Sequence, residues 1–221
     1  MFDDISPKYD FLNHFLSFGI DYLWRKKLVK VLESYHPDTV LDVATGTGDL
    51  AIAIASVDPQ KIVGIDISEK MLEVGRQKLC SKGMDQLITL RHADAEKIPF
   101  SDNTFEAITV AFGVRNFENL ELGLKEMRRV LRPEGVMLIL EFSHPHAFPM
   151  KQLYGIYSRY IIPLMGRLIS GNSKAYTYLP ESVAAFPSGE NFLAILESQG
   201  MKKAKLIKLS MGIATIYIAE K

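Results

Sequence analysis

The stretch Thr39-Val-Leu-Asp-Val-Ala-Thr-Gly-Thr-Gly-Asp-Leu-Ala51 joins a short aliphatic run to two glycines and then to an apolar segment. Residues 39–43 predict a strand that is buried on both faces, and residues 50–55 predict the helix that follows it. Glycines in such a turn carry no Cβ, so their backbone N–H groups can closely approach a ligand. The stretch therefore predicts an α/β fold in which a dinucleotide-like ligand lies across Gly46 and Gly48.

The charges beside the glycines bear on which ligand binds. The spacing Gly46-x-Gly48-x-x-Ala51 satisfies the loose dinucleotide fingerprint, and Asp66 follows about twenty residues later, as a ribose-binding acid would. However, Asp42 and Asp49 would flank the phosphates, and like charges in a half-buried cleft repel by several kcal/mol. S-adenosylmethionine has no phosphate and carries a sulfonium and an ammonium group. The acids therefore favour it over a nicotinamide dinucleotide.

Strands and helices alternate along the chain from residue 39 to residue 142. The predicted strands are 39–43, 62–67, 88–92, 105–112 and 136–142, with helices at 50–57, 69–81 and 120–131. Ser68 is the expected N-cap of the second helix, and Gly83 lies past its end. The turn Arg132–Gly135 precedes the fifth strand. This alternation predicts a doubly wound, mainly parallel sheet that binds its ligands at the carboxyl ends of the strands.

Composition limits the class of protein. The 221 residues are 48% hydrophobic, which suits one domain with a sizeable core. Acids and bases balance at 26 each, so no overall field recruits nucleic acid. One cysteine and an acidic N-terminus fit a cytoplasmic protein, and no apolar run is long enough to span a membrane.

Acidic side chains recur at the predicted carboxyl ends of the strands. Asp66 can accept hydrogen bonds from both ribose hydroxyls, and Asp94-Ala95 can contact the adenine amino group and a ring nitrogen. A single acid at such a position is more often a solvated loop residue or a helix cap. Four acids in this order, Asp42, Asp49, Asp66 and Asp94, favour a cofactor site.

These residues and several further motifs resemble the UbiE/MenG family of class I S-adenosylmethionine-dependent methyltransferases. The resemblance covers nearly the whole chain, and its narrower motifs are Phe2–Asp10, Leu16–Ile20 with Trp24, Phe112–Asn116, Leu140–Ser143 and Tyr176–Ser182 with Phe186-Pro187. The family C-methylates the ring of a prenylated quinol in menaquinone or ubiquinone synthesis. The resemblance implies a Rossmann-like, mainly parallel seven-stranded sheet that ends in an antiparallel hairpin, here from residues 205–208 and 214–219 after a helix at 190–199.

The resemblance also implies one methyltransferase domain, residues 1–221, with four parts. These are an N-terminal helical cap (1–36), a cofactor-binding core (39–142), a helical lid (144–187) and a C-terminal helix with strands (188–221). The family's cofactor residues correspond to Thr47, Asp66, Asp94 and Ala95. Ala111 replaces a serine that the family often has, so only a backbone contact is expected there. The complete expected set is Asp42, Gly46, Thr47, Gly48, Asp66, Ile67, Asp94, Ala95 and Ala111.

The expected catalytic residues are Arg115, Asn116 and Tyr9. Methylation of a ring carbon needs an electron-rich ring, and Arg115 and Asn116 follow the fourth strand, where the ring would meet the cofactor. Arginine is too basic to accept a proton. We therefore expect Arg115 to stabilise a phenolate, with water or a nearby side chain as the proton acceptor. The alternative is that Arg115 merely pairs with Glu141 or Asp94. No metal is needed for this chemistry.

The expected partner is a prenylated quinol, either a demethylmenaquinol or, as the close alternative, a benzoquinol. Other candidates are a different small-molecule or RNA methyltransferase and a nicotinamide-dependent oxidoreductase, which the charges disfavour. The aromatic and basic lid predicts a weak peripheral contact with the inner face of the cell membrane. The sequence leaves the oligomeric state open, with a homodimer as one candidate.

Overall fold

Seven strands form one sheet in this computed structural model, which describes residues 19–145, 148, 152, 155 and 181–221. In chain order the strands are β1 Thr39–Val43, β2 Lys61–Asp66, β3 Ile88–His92, β4 Phe105–Ala111, β5 Leu131–Phe142, β6 Lys202–Leu209 and β7 Ala214–Glu220. Their order across the sheet is β3-β2-β1-β4-β5-β7-β6. The first five are parallel, whereas β7 pairs antiparallel with both β5 and β6. The predicted mainly parallel sheet with a C-terminal antiparallel pair is confirmed.

Helices cover both faces of the sheet. Among the described residues they are α1 Ile20–Glu33, α2 Asp49–Ile54, α3 Glu69–Lys82, α4 Leu120–Val130 and α5 Glu190–Ser198, with short 3₁₀ helices at Ala55–Val57, Val114–Asn116 and Ser210–Gly212. Successive residues of a strand point to opposite faces. Leu41 and Val43 accordingly pack with α4 and α5, whereas Val40 packs with α1, α2 and α3. Asp42 shares the face of Val40.

Local signals placed several element ends correctly. Ser68 caps α3, because its Oγ accepts a hydrogen bond from Met71 N (3.3 Å), and Gly83 ends the helix in a left-handed conformation. The predicted start of β5 at residue 136 was wrong. Leu131 already pairs with Phe105, and the ladder resumes at Val136 opposite Ala107. The residues between them form an irregularity within the strand rather than a turn before it.

The order of strands places the site. From β1 the chain adds β2 and β3 on one side of the sheet and then returns to add β4 and β5 on the other side. The loops that follow β1 and β4 therefore diverge and leave a crevice at the carboxyl ends of these two strands. No helix in the described part of the chain is long and apolar enough to cross a membrane. The predicted cap is described from residue 19 onward. Most of the predicted lid lies outside the described residues.

Candidate functional site

A cleft of about 260 Å³ opens at the carboxyl ends of β1, β2 and β4. A second cavity of about 40 Å³ adjoins it, and the two share Ala44, Gly46, Ala111 and Phe112. Together they approach the lower end of the range for small-molecule sites, roughly 300–1,000 Å³. The predicted residues lining the cleft are Gly46, Asp66, Ile67, Asp94, Ala95, Ala111 and Asn116, and those lining the smaller cavity are Asp42, Gly46, Thr47 and Ala111. Gly48 lines neither and is instead the N-cap residue of α2.

The backbone around the cleft adopts conformations that few residues tolerate. Ala44, directly after β1, and Phe112, directly after β4, have positive φ values of 53° and 59°. For residues with a Cβ this left-handed region is strained, and such strain concentrates at functional sites. Gly113 is required by close approach, because a Cβ there would lie 2.6 Å from Ala44 Cβ. The ends of β1 and β4 are thus packed against each other beside the cleft.

Asp66 ends β2 and ties the cleft wall together. Its Oδ2 accepts a hydrogen bond from Gly46 N and its Oδ1 accepts one from Ser68 N, both at 2.8 Å. Burial raises the pKa of Asp66, although the backbone N–H groups oppose this rise. The carboxylate as a whole keeps acceptor capacity for a ligand hydroxyl. The neighbouring Ile67 is 65% exposed, which leaves an apolar surface at the rim of the cleft.

Asp94 lies at the opposite rim. It is exposed, and its Oδ1 accepts a hydrogen bond from Glu96 N at 2.8 Å, which fixes the loop after β3. Ala95 follows it in the lining of the cleft. The loop therefore presents a carboxylate and a backbone segment to the same cleft that Asp66 lines.

Asp42 lies beneath the glycine turn and is 1% exposed. Its two oxygens accept hydrogen bonds from Thr45 Oγ1 at 2.6 Å and Thr109 Oγ1 at 2.7 Å. Burial raises the pKa of Asp42 to about 6, although these two hydroxyls and the charge of Arg25 oppose the rise. Sequence reasoning missed both threonines. Thr109 is detectable only as a polar residue in the apolar run of β4.

Asp49 corrects the charge argument made from the sequence. Its carboxylate pairs with Lys78 Nζ at 2.6 Å, and the same ammonium donates to Thr47 Oγ1 at 3.0 Å. Treating Asp49 as an uncompensated charge beside the glycines was therefore wrong. The buried Asp42 and the cleft acids still leave this end of the sheet poor in partners for a phosphate.

Arg115 adopts the paired arrangement that the sequence left open. Its Nη1 donates to Glu141 Oε1 at 2.8 Å and also to the carbonyl oxygen of Phe112, and its side chain is only 7% exposed. Glu141 is fully buried on β5 and also accepts from Arg115 N at 3.3 Å and Phe142 N at 2.9 Å. Arg115 Nε has no hydrogen-bond partner in the part of the chain described here. The adjacent Asn116 lines the cleft, whereas Arg115 lies behind the lining.

Other residues of the site were not predicted. Phe117 and Glu118 line the cleft, and Arg25 lines the smaller cavity. Arg25 pairs with Asp21 on the buried face of α1, and the spacing of four residues between opposite charges could have signalled it. The predicted Tyr9, with the neighbouring Asp10, lies outside the described residues.

Comparisons with known proteins bear on this arrangement. The model of the ubiE/COQ5 methyltransferase family matches residues 1–221. A demethylmenaquinone methyltransferase from Bacteroides fragilis is 47% identical over 100% of this chain and 91% of its own length. The ubiquinone/menaquinone biosynthesis C-methyltransferase UbiE from Geotalea uraniireducens is also 47% identical, over 100% of this chain and 94% of its own.

A solved structure supports the fold independently. The crystal structure of a SAM-dependent methyltransferase from Aquifex aeolicus matches with a TM-score of 0.63 at 22% identity, covering 86% of this chain and 87% of that one. The similarity extends the fold assignment beyond close relatives. From the family match and the identity of close to one half over its whole length, the chain belongs to the ubiE/COQ5 methyltransferase family.

Proposed function

We propose that this protein transfers the methyl group of S-adenosylmethionine to a ring carbon of demethylmenaquinol, a prenylated naphthoquinol. The observation that carries the proposal is the cleft at the ends of β1, β2 and β4, in a chain 47% identical to a relative named demethylmenaquinone methyltransferase. Its product from the cofactor is S-adenosylhomocysteine.

The residues of the cleft fit this cofactor. Their ionisable side chains are acids, Asp66, Asp94, Glu96 and Glu118, and within the described residues no basic side chain lines the cleft. Such a lining suits a ligand with a sulfonium and an ammonium group and would repel a pyrophosphate. When bound, S-adenosylmethionine supplies an electrophilic methyl group.

Most of the predicted cofactor residues have roles that their positions support. Asp66 accepts the ribose hydroxyls, and the exposed side chain of Ile67 covers the adenine. Asp94 accepts from the adenine amino group and Ala95 N donates to a ring nitrogen. The turn from Gly46 to Gly48, with Thr47, holds the amino-acid end, while the backbone of Ala111 borders both cavities.

The substrate ring is held near the turn that follows β4. Asn116 lines the cleft together with Phe112 and Phe117. Arg115 fixes this turn through Glu141, directly behind the residues that line the cleft. We propose that Asn116 and Tyr9 orient the quinol, that Arg115 stabilises its phenolate form, and that water accepts the proton. Correct positioning can by itself lower such barriers by roughly 7–11 kcal/mol.

A benzoquinol of ubiquinone synthesis is the second candidate substrate. It is supported by the relative named for ubiquinone and menaquinone biosynthesis, which is as similar to this chain as the relative named for demethylmenaquinone. We also propose the four-part domain organisation and a weak membrane contact, which the 82% exposed Phe148 supports. A cytoplasmic location and a homodimer remain predictions of the sequence.

The test is a transfer assay with methyl-labelled S-adenosylmethionine and two reduced acceptors, a demethylmenaquinol and the corresponding benzoquinol. Label in the naphthoquinol alone would establish the proposed reaction. Label in both would make the two pathways alternatives for the same site. Bound cofactor without label in either acceptor would contradict the quinol assignment. Asp66→Ala is the matched control, because it should reduce labelling of either acceptor through weaker binding of the cofactor.

A further inference from the structure

Acidic residues outnumber basic residues in the lining of the two cavities. Six acidic residues line them, namely Asp66, Asp94, Glu96 and Glu118 in the cleft and Asp42 and Asp49 in the smaller cavity. Among the described residues the lining contains one basic side chain, that of Arg25. Within the described part of the chain, a ligand that fills both cavities therefore meets one basic side chain, and meets it in the smaller cavity.

S-adenosylmethionine carries a single anionic group, the α-carboxylate of its amino-acid end. A carboxylate that leaves water needs a cation with hydrogen-bond donors, and the planar guanidinium of arginine matches it with two parallel bonds. We propose that Arg25 binds this carboxylate in the smaller cavity. The inference rests on the proposed function, because it assigns one end of the cofactor named there.

Arg25 is held in position by two contacts, one to a carboxylate and one to an aromatic ring. Asp21, one turn earlier on α1 and 2% exposed, accepts a hydrogen bond from its Nη1. The guanidinium carbon lies 5.6 Å from the centroid of the Phe112 ring, within range of a cation–π contact. Because a guanidinium has five N–H donors, the bond to Asp21 leaves others for a ligand. A side chain fixed in this way loses little freedom on binding.

The surroundings of Arg25 also suit the ammonium group beside that carboxylate. Asp42, Asp49 and Arg25 line the same cavity, so it offers both signs of charge to a zwitterion. Asp49 is already paired with Lys78, whereas the donors to Asp42 among the residues that the structure describes are two neutral hydroxyls. Asp42 is thus the acid whose charge is available to the ammonium group.

Lys78 is the competing cation. Its Nζ contacts Asp49 and Thr47 at the glycine turn, yet its side chain lines neither cavity. It therefore supports the turn from outside. A variant of Lys78 removes a positive charge from the same neighbourhood without removing the proposed carboxylate ligand, which makes it the matched control.

The experiment compares two ligands on each protein variant. S-adenosylmethionine and its decarboxylated analogue differ by the α-carboxylate, so the ratio of their Kd values measures recognition of that group. We expect the wild-type protein to prefer S-adenosylmethionine at least about tenfold, as for a hydrogen-bonded charge pair. Arg25→Met should reduce the ratio to near one, Arg25→Lys should keep part of it, and Lys78→Met should preserve it while weakening both ligands alike.

A double variant controls for an effect of Arg25→Met on folding. Arg25→Met removes the ion pair that Arg25 forms with the buried Asp21, so the ratio is also measured in the double variant Asp21→Asn/Arg25→Met. A ratio near one in that double variant supports the assignment. An unchanged ratio in a folded Arg25 variant, or a ratio lost only in Lys78→Met, overturns it. Failure of the wild-type protein to bind either ligand would instead contradict the proposed function.

Discussion

The buried pair between Arg115 and Glu141 gives the sharpest prediction for stability. Glu141 is fully buried and accepts three hydrogen bonds, at 2.8, 3.3 and 2.9 Å, and the Arg115 side chain is 7% exposed. Removing one partner of such a pair leaves an uncompensated buried charge, which should lower the free energy of unfolding by about 3–5 kcal/mol. We expect this loss in Arg115→Met and in Glu141→Gln, measured by urea unfolding.

The double variant Arg115→Met/Glu141→Gln tests whether the two losses share one cause. It should be more stable than the sum of the single losses implies, by at least about 2 kcal/mol. The control is the solvent-exposed pair of Arg76 and Glu69, whose side chains are 43% and 57% exposed. There Arg76→Met and Glu69→Gln should couple by less than about 1 kcal/mol. Losses at the buried pair that add within about 0.5 kcal/mol would refute the reasoning.

The same variants separate the two roles of Arg115. If its pairing only positions the turn that carries Asn116, Arg115→Met and Glu141→Gln should lower kcat by similar factors. If Arg115 also stabilises the phenolate, Arg115→Met should lower kcat further while the KM for S-adenosylmethionine stays near that of Glu141→Gln. Steady-state rates at saturating quinol measure the difference. Normal turnover in Arg115→Met would contradict both roles.

Three further changes test the cofactor side of the cleft. Asp66→Ala should raise the Kd of S-adenosylmethionine at least about tenfold, since its carboxylate contacts are lost; calorimetric titration that finds unchanged affinity would exclude the ribose contact. Burial raises the pKa of Asp42 from 3.8 to about 6, so the folded chain binds this proton more tightly than the unfolded chain. The free energy of unfolding should therefore fall by about 3 kcal/mol as the pH rises from 3.8 to about 6. Asp42→Asn should remove this part of the pH profile, and parallel profiles for the two proteins would rule it out. Gly113→Ala should be destabilising by about 1–3 kcal/mol in thermal unfolding, because the new Cβ would lie 2.6 Å from Ala44 Cβ; unaltered stability would mean that the two strand ends separate easily.

Much of the fold follows from short-range patterns. Thr39–Val43 and Ile88–His92 are strands with the predicted bounds, because aliphatic and β-branched runs between turn residues have few alternatives. The cap at Ser68 depends on a hydrogen bond to a residue three positions away. The start of β5 was predicted incorrectly because a local irregularity separates Leu131 from the rest of its strand. The proline and glycine in that irregularity resemble a turn.

The candidate site was predicted where topology alone determines position. Asp66, Asp94 and Asn116 follow different strands, yet all reach the cleft because parallel strands bring their carboxyl ends to one edge. Contacts between side chains that are far apart in the sequence were harder to predict. Nothing in the residues around Asp49 indicates that Lys78, on the next helix, neutralises it. The pair formed by Arg115 and Glu141 likewise depends on the register of β5 against β4, which the local sequence does not determine.

The positive φ values of Ala44 and Phe112 also affect how variants of this protein can be selected. Glycine at position 44 would relieve roughly 1–2 kcal/mol of backbone strain, but the greater freedom of the unfolded chain would offset about 0.5–1 kcal/mol of that gain. The net change in melting temperature should therefore be small, although the wall between β1 and β4 would lose the methyl group that meets Gly113. A screen for heat resistance would barely distinguish Ala44→Gly from the wild type. Because Ala44 lines both cavities, we expect a screen for turnover to separate them, so the two kinds of selection should retain different residues at this position.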